Sequence, residues 1–417
     1  MSAGLRTGYK QTEVGVIPED WEVKSLGAVL RKGRLGGNYP NQDAEAAFPL
    51  MKMGNLARGH IDLSKVQFVT PGAMLEPAHR LSHGDVLFNT RNTLDLVGKV
   101  AVWRNELPVA YYNSNLMRLE FNPEQVCSNE YANYSLNTEG AVTRLRALAT
   151  GTTSVAAIYT RDLTKLQVVV PPIPEQRAIA AALSDVDALL GGLDRLIAKK
   201  QGLKVAAMQQ LLTGQTRLPG FSGAWEGKRL EEVTDIDPDN LGSNTPGDYE
   251  FNYISLEDVD RGVLVGFSEQ LFNVAPSRAR RKLKTGDVLV STVRPNLQSH
   301  LLFQLDAPHW VCSTGFAVVR CRAEVTNPAY VFPHLFSSGV SRQIETLLTG
   351  SNYPAINSKD VRALEIPIPS FAEQTAIATI LSDMDSELAA LQARRAKTQA
   401  LKQAMMQELL TGRIRLI

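Results

Sequence analysis

The spacing of hydrophobic positions changes along this chain in the same way twice. The first part of each half contains short apolar runs separated by turns, such as Asp85–Phe88 and Lys99–Trp103. Runs of this length, bounded by turn residues, are typical of β-strands. We therefore expect a mixed, mostly β domain in each half of the chain.

A long segment with helical spacing follows each β-rich part. Its apolar positions are Leu183, Val186, Leu190, Leu193 and Ile197 in the first half, and Leu381, Met384, Leu388 and Leu391 in the second. Alternating steps of three and four residues predict the narrow apolar seam of a coiled coil. A helix of about 40 residues spans roughly 60 Å. The alternative is that each helix packs only on its own domain.

The two halves are copies of one pattern. Residues 175–218 align without a gap with residues 373–416, and more than half of these positions are identical. The similarity continues more faintly upstream, where Trp21–Leu26 matches Trp225–Leu230 and Gly84–Leu87 matches Gly286–Leu289. Repetition on this scale predicts two related structural units with pseudo-twofold symmetry.

Local signals mark the helix ends. Asn122-Pro123 and Asn327-Pro328 are expected to start helices. Ser370-Phe371-Ala372-Glu373 has the pattern of a capping box. Gly214 and Gly412 are expected to end the long helices in the left-handed conformation. Gly191-Gly192, inside the first long helix, indicates a kink or a close helix approach, because each glycine costs about 1 kcal/mol relative to alanine.

The predicted fold class is therefore α+β. Two tandem, mixed, mostly β domains occupy residues 1–170 and 216–368, and two long antiparallel spacer helices occupy residues 171–215 and 369–417. The helices form a coiled coil, and the whole chain is a pseudo-twofold repeat.

Composition narrows the possible functions. The formal net charge is only +1, which argues against indiscriminate coating of nucleic acid but allows basic residues focused on one face. No stretch approaches the roughly 20 apolar residues of a membrane span. Met1 to Lys10 has no apolar h-region, so we do not expect this segment to be a signal peptide. Three scattered cysteines indicate neither a disulfide framework nor structural zinc. We expect a cytoplasmic protein.

No catalytic or metal site is predicted. The chain lacks a G-x-x-x-x-G-K-[ST] phosphate loop, and its histidines have no metal-ligand spacing. Asn327-Pro328-Ala329-Tyr330 has a faint similarity to the Asn-Pro-Pro-Tyr loop of adenine-N6 methyltransferases. A helix cap explains it better, because the second proline and a glycine-rich methyl-donor loop are both missing.

The paired helix motifs resemble one known family. Pro-Pro-Ile-Pro-Glu-Gln and Pro-Ile-Pro-Ser-Phe-Ala-Glu-Gln start the helices, and Gln-Leu-Leu-Thr-Gly and Glu-Leu-Leu-Thr-Gly end them. Together with Trp21, Trp225 and the Gly-Asp-Val-Leu strands, they resemble the specificity subunits of type I restriction–modification systems. The resemblance covers essentially the whole chain.

That resemblance implies a noncatalytic reader of double-stranded DNA. Each half would carry a target-recognition domain for one part of a split site, and the helices would set the spacing and dock two methyltransferase subunits. Motor-nuclease (restriction) subunits would join this core. The methyl donor, ATP and magnesium are expected on the partner subunits, with no cofactor on this chain. Two alternatives remain, a self-sufficient methyltransferase or nuclease and a coiled-coil scaffold without sequence preference.

Candidate DNA contacts are polar residues on matched loops, because Arg and Asn can each bind a base edge through two hydrogen bonds. In the first half they are Thr90, Arg91 and Asn92, with Thr152 and Thr153 just before the long helix, and also Lys52 and Asn55 before a turn. In the second half they are Ser291, Thr292, Arg294 and Asn296, with Ser351 and Asn352 before the helix. The alternative is that these polar loops only close turns.

Overall fold

A computed structural model describes residues 7–306, 308–350 and 354–416. The chain divides into two compact units, and the first is not continuous in sequence. Unit 1 consists of Met1–Asp194 and Arg394–Ile417, and unit 2 consists of Arg195–Ala393. Each long helix therefore contributes one end to each unit.

Unit 1 is built from short strands followed by helices. Its strands are β1 (Tyr9–Thr12), β2 (Gly15–Pro18), β3 (Glu22–Ser25), β4 (Leu30–Leu35), β5 (Asn41–Gln42), β6 (Pro49–Met51), β7 (Gln67–Val69), β8 (Val86–Asn89), β9 (Arg91–Asn92), β10 (Val100–Val102), β11 (Tyr111–Tyr112), β12 (Leu116–Phe121), β13 (Thr150–Gly151), β14 (Ala156–Ala157) and β15 (Gln167–Val170). Its helices are α1 (Leu26–Val29), α2 (Asn129–Leu136), α3 (Glu139–Ala147), α4 (Thr160–Leu163) and the start of α5 (Ile173–Leu212). Single 3-10 turns lie at Met53–Asn55 and Pro77–His79.

Unit 2 repeats this order. Its strands are β16 (Glu226–Arg229), β17 (Thr234–Ile236), β18 (Glu250–Ile254), β19 (Val259–Asp260), β20 (Val263–Leu264), β21 (Ser268–Leu271), β22 (Ala279–Lys282), β23 (Val288–Ser291), β24 (Leu301–Leu302), β25 (Trp310–Ser313), β26 (Phe316–Cys321) and β27 (Glu365–Ile368). Its helices are α6 (Leu230–Val233), α7 (Pro328–His334), α8 (Ser338–Leu347), α9 (Ser358–Ala363) and the start of α10 (Phe371–Leu409), with 3-10 turns at Leu256–Asp258 and Pro295–Leu297.

Each unit contains two four-stranded sheets. Their strand orders are β10-β8-β12-β4 and β11-β6-β7-β5 in unit 1, and β17-β26-β23-β24 and β21-β18-β25-β22 in unit 2. The strand that leads into each long helix pairs with a strand near the start of its own unit, β15 with β3 and β27 with β16. The predicted mixed, mostly β domains are confirmed.

The Gly-Asp-Val-Leu motif forms a central strand that is buried on both faces. In β8, Val86 and Phe88 lie in one apolar core, and Leu87 lies in a second core on the opposite face. In β23, Val288 and Leu289 divide between two cores in the same way. Burial on both faces explains why the sequence is continuously apolar here instead of alternating.

The two long helices run antiparallel, as predicted. The ion pairs that join them are Asp187–Lys402 and Asp194–Arg395 in unit 1, and Lys200–Glu387 and Lys204–Asp385 in unit 2. Residue numbers rise on α5 as they fall on α10. In unit 1, Leu183 packs with Leu409 and Leu410 in the same core as the domain residues. In unit 2, Ile377 and Leu381 pack with Leu211 and Leu212 of the other helix and with Tyr330 of the domain. Each helix start therefore packs on the other helix as well as on its own domain.

The repeated glutamine at each helix start ties the helix to its domain. Gln176 is buried, its Nε2 donates to the carbonyls of Gln125 (2.8 Å) and Pro171 (2.9 Å), and its Oε1 accepts from the Cys127 amide (3.1 Å). Gln374 makes the equivalent three bonds in unit 2. A buried side-chain amide that is this fully bonded fixes the direction in which the helix leaves its domain.

The glutamate that precedes each of these glutamines binds an arginine that follows the C-terminal end of the other long helix. Glu175 is fully buried and accepts from the Trp21 indole N–H (2.7 Å) and from Nη2 of Arg415 (2.7 Å), which follows the C-terminal turn of α10. The equivalent group in unit 2 consists of Glu373, Trp225 and Arg217. We call these two groups the Trp–Glu–Arg anchors.

One of the two predicted Asn-Pro helix starts needs correction. Asn122 accepts from the Glu124 amide in a turn, and α2 begins only after Ser128, which caps it. Asn327 does cap α7, as expected. The bonds of Gln176 and Gln374 explain the error, because they show that Cys127, and not Asn122, is the structural counterpart of Asn327.

The predicted capping box of α10 is present only in part. Ser370 Oγ accepts from the Glu373 amide (3.3 Å), as expected. The Glu373 carboxylate turns instead to Arg217 and Trp225. Gly214 and Gly412, which end the helices, both have the predicted left-handed φ of +70°.

Gly192, the second glycine of the pair inside α5, is not a site of close packing. The helix runs unbroken through Gly191 and Gly192, and a Cβ added at Gly192 would meet nothing within 4 Å. We therefore expect Gly192→Ala to stabilise the chain by up to about 1 kcal/mol, because alanine has the higher helix propensity. A higher midpoint of thermal unfolding by calorimetry would agree, and a lower midpoint would contradict this assignment.

No helix in the described part of the chain is long and apolar enough to cross a membrane.

Candidate nucleic-acid interface

In unit 1 the two polar loops predicted from separate parts of the sequence lie side by side. Strand β9, which holds Arg91 and Asn92, pairs with β14, and β14 pairs with β13 at Thr150–Gly151. The Leu94 amide also donates to the carbonyl of Thr153 (3.1 Å). The loop after the central strand and the loop before the long helix thus form one surface.

Unit 2 brings together the matching loops. The Ile356 amide donates to the carbonyl of Thr292 (2.9 Å), and the Arg294 amide donates to the carbonyl of Pro354 (2.7 Å). Thr349 and Ala355 form a bridge in the same loop. Ser351 and Asn352 lie outside the described residues.

The arginines of these loops are exposed in both units. In unit 1, Arg91, Thr152 and Thr153 are exposed and Asn92 is half-buried. In unit 2, Arg294 and Asn296 are exposed. We call the two adjoining loops of each unit, the one after the central strand and the one before the long helix, its loop cluster. Each loop cluster therefore offers an exposed guanidinium beside neutral donors and acceptors, the groups that read base edges or bind phosphate.

Arg294 has an unusual backbone conformation. Its φ of 49° and ψ of 51° lie in the left-handed region, and so does Gln298 at φ 57°. Outside glycine this region costs of order 1 kcal/mol, and such residues cluster at functional sites. The hydrogen bonds to Pro354 and Ile356 hold the loop in this shape.

Burial revises the prediction for three residues. Ser291 and Thr292 are buried, and their hydroxyls donate to the carbonyls of Val293 (2.9 Å) and Gly315 (2.8 Å). Asn55 is buried and donates to the carbonyls of Asp62 and Lys65. We assign these three side chains to holding the loops, because their polar groups bond within the fold.

Two further predicted residues have partners inside unit 1. Thr90 Oγ1 donates to the carbonyl of Asn115 (2.8 Å). Lys52 Nζ donates to Gln67 Oε1 (2.6 Å) and to Asn41 Oδ1 (3.2 Å). Lys52 therefore lies in a polar cluster on the second sheet, β11-β6-β7-β5, and not in the loop cluster around Arg91.

His300 supports the recognition loop of unit 2, a role that sequence reasoning missed. It is buried, and its Nδ1 accepts from the Ser291 amide (3.1 Å) at the end of β23. Burial lowers the pKa of His300 to about 4, so the ring is neutral at physiological pH. Only the folded chain brings it to Ser291, so spacing in the sequence gave no signal.

The enzyme-like motif at Asn327 also has a structural explanation. Asn327 Oδ1 accepts from the Ala329 amide (2.9 Å), and the buried Tyr330 donates to the carbonyl of Pro367 (2.9 Å). Both polar groups are therefore used in a helix cap and in fixing α7 to β27. Among the described residues, no three His, Cys, Asp or Glu side chains are grouped so that they could hold a metal ion.

Comparison with known proteins shows the family to which this chain belongs. A family model described as "Type I restriction modification DNA specificity domain" matches residues 18–197 and 224–399. A Methanocaldococcus jannaschii protein assigned as the specificity subunit of the type I restriction enzyme MjaX is 27% identical over 425 residues, 98% of this chain and 96% of that protein. The MjaVIII specificity subunit of the same organism is 22% identical and covers 96% of this chain and 94% of its own.

Solved structures show the same fold. One is a chain from a study of complex assembly and conformational transition of the type I R-M system, with a TM-score of 0.56 and 20% identity over 95% of this chain and 99% of that one. Another is the type I restriction-modification S subunit from M. genitalium, with a TM-score of 0.58 and 15% identity over 93% and 96% of the two chains. Since the family model covers most of both halves, this chain belongs to the family of type I restriction–modification DNA specificity domains and carries one such domain in each half.

Proposed function

We propose that this chain is the noncatalytic DNA-recognition subunit of a type I restriction–modification complex. The observation that carries the proposal is the repeated loop cluster, with an exposed arginine at Arg91 in unit 1 and at Arg294 in unit 2. The frameworks of the two clusters match, but their exposed residues differ. One chain can therefore read two different half-sites, whereas a homodimer is limited to a palindrome.

In this proposal the long helices set the distance between the half-sites and dock two methyltransferase subunits. Exposed apolar side chains on the helices support docking, because large apolar groups at a surface commonly mark interaction sites. They are Leu189 and Leu401 in unit 1, and Leu196, Leu203, Val205 and Phe371 in unit 2.

Motor-nuclease subunits would join the methyltransferase core to cut unmodified DNA. The methyl donor, ATP and magnesium would bind to these partner subunits. The substrate is double-stranded DNA, so the complex would act in the cytoplasm, where the genome and incoming DNA lie.

Exchange of one half tests the modular part of the proposal. Residues 1–170 are replaced by the equivalent segment of a relative with a different target, and the methylated sequences are mapped with the complete complex. We expect a change in one half of the methylated site only, because each unit has its own loop cluster. A change in both half-sites, or in neither, would contradict modular recognition.

A second experiment separates this function from its two rivals. The purified chain is incubated with DNA and a labelled methyl donor, alone and with the methyltransferase subunits. We expect transfer only in the complex, and turnover by the lone chain would show an enzyme. Equal affinity of the complete complex for all duplexes at matched salt would indicate a scaffold without sequence preference.

A further inference from the structure

A cavity of about 290 Å³ lies beside Arg91 in unit 1. Its polar and aromatic lining includes Thr90, Arg91, Ser114, Asn115, Tyr159 and Thr160. A cavity needs only about 10–15 Å³ measured in this way to hold one water molecule, and this cavity is many times larger. It can therefore accept a group much larger than a single water.

Strand pairing places Tyr159 close to Arg91. Ala157 lies directly opposite Arg91 in the pairing of β14 with β9, and the Ile158 amide continues the pairing by donating to the carbonyl of Thr90 (2.9 Å). Tyr159 is two residues beyond Ala157 and so follows it on the same face of the strand. Diagonal neighbours of this kind are within reach of each other when one is aromatic and the other is long.

Tyr159 occupies a helix N-cap, a position that does not favour tyrosine. It is the N-cap residue of α4, yet its side chain makes no capping bond. Its counterpart in unit 2 is Asn357, since Ile158 and Ile356 make matching bonds to Thr90 and Thr292. Asn357 does cap its helix, accepting from the Lys359 amide (2.8 Å) and the Asp360 amide (3.2 Å).

The tyrosine ring is also not held in a core. Tyr159 is 56% exposed although it is a large aromatic residue. Asparagine is among the residues preferred at an N-cap, and tyrosine is not. Neither helix capping nor burial therefore accounts for a tyrosine here, and positions that break local rules in this way are expected at functional sites.

We propose that Tyr159 is a specificity-determining residue for the first half-site. The Arg91 guanidinium and the Tyr159 ring flank the cavity and together contact the groove edge of one base pair. Arginine donates hydrogen bonds to the base, and the ring supplies apolar contact with a hydroxyl donor at its tip. This assignment rests on the proposed function, because it requires that the loop cluster of unit 1 faces DNA.

Tyr159→Asn separates recognition from folding. The substitution gives α4 the capping residue that Asn357 supplies in unit 2, so the Tm of the variant should equal or exceed that of the wild type. Arg161→Ala is the matched control, because Arg161 is an exposed residue of the same helix and does not line the cavity. Each chain is assembled with its methyltransferase subunits, and the rate and sequence of methylation are measured on a randomised duplex library.

We expect Tyr159→Asn to lower methylation of the native site about tenfold relative to sites altered at one base pair of the first half-site, with no change at the second half-site. Arg161→Ala should leave the methylated sequence unchanged. A wild-type rate and sequence for Tyr159→Asn would overturn the inference. A uniform fall with no change of sequence would also overturn it, because phosphate contacts weaken binding in that way. Loss of activity together with a lower Tm would overturn the inference as well, because that result would show that Tyr159 stabilises the fold. Absence of a bipartite sequence with the wild-type chain would instead contradict the proposed function.

Discussion

Arg415→Ala is expected to destabilise unit 1 by about 3 kcal/mol. Among the described residues, removing Arg415 leaves the fully buried Glu175 carboxylate with the Trp21 indole as its one side-chain partner. Loss of one member of a buried ion pair costs about 3–5 kcal/mol. The lower end of that range applies because Arg415 itself is about one quarter exposed. For a unit of this size, the loss corresponds to a fall in Tm of roughly 6–12 °C, measured by calorimetry.

Two further variants test whether the buried charge is the cause. Arg413→Ala removes an arginine two residues away that forms an exposed ion pair with Glu408, and we expect a change of less than about 1 kcal/mol. Adding Glu175→Gln to Arg415→Ala removes the unpaired charge and should recover part of the lost stability. Equal effects of Arg413→Ala and Arg415→Ala would contradict the importance of the Trp–Glu–Arg anchor.

Arg294→Ala is expected to impair recognition of the second half-site alone. An arginine that binds a base through two hydrogen bonds supplies about 1–3 kcal/mol of discrimination. Its loss should reduce methylation of the native site about 5- to 150-fold relative to sites altered at one second-half position. Competition between such duplexes, with the assembled complex, measures this ratio.

Arg342→Ala serves as the control for this substitution. Arg342 is an exposed arginine of unit 2 on α8, outside the loop cluster. We expect its removal to leave the preferred sequence unchanged. If Arg294→Ala lowered methylation equally for all sequences, Arg294 would bind phosphate and would not read a base.

Periodic and repeated features of the sequence predicted the architecture well. The helical seam at Leu183 and Leu190 and the continuous apolar run of β8 each report a burial pattern that depends on local spacing. The Thr-Gly helix ends, at Gly214 and Gly412, follow from backbone sterics. These signals act over a few residues, so they can be read without knowledge of the tertiary fold.

Features that join distant segments could not be predicted. Glu373 has the pattern of a capping residue, but Arg217 lies next to it only when α5 and α10 pack together. The burial of Ser291 and the hydrogen bond that its amide donates to His300 depend in the same way on the sheet around them. The same polar residue types occur in loops that face DNA and in loops whose side chains bond within the fold. Tertiary contacts are needed to tell these two kinds of loop apart.

Differences between the halves carried information that the repeat itself did not. The helix signals at Asn122 and Asn327 misled, because the two residues are not structural counterparts. Asn122 begins a turn whose equivalent in unit 2 begins at Arg322, whereas Asn327 caps α7. By contrast, the unmatched pair of Tyr159 and Asn357 points to a residue that the local structure does not require.

Mapping of methylated bases across the host genome tests the central claim most directly. The map is compared between cells with this gene and cells without it. Bipartite recognition predicts that methylation disappears from a single motif made of two different half-sites separated by a fixed gap. An unchanged map, or loss of methylation from one continuous motif, would contradict the account.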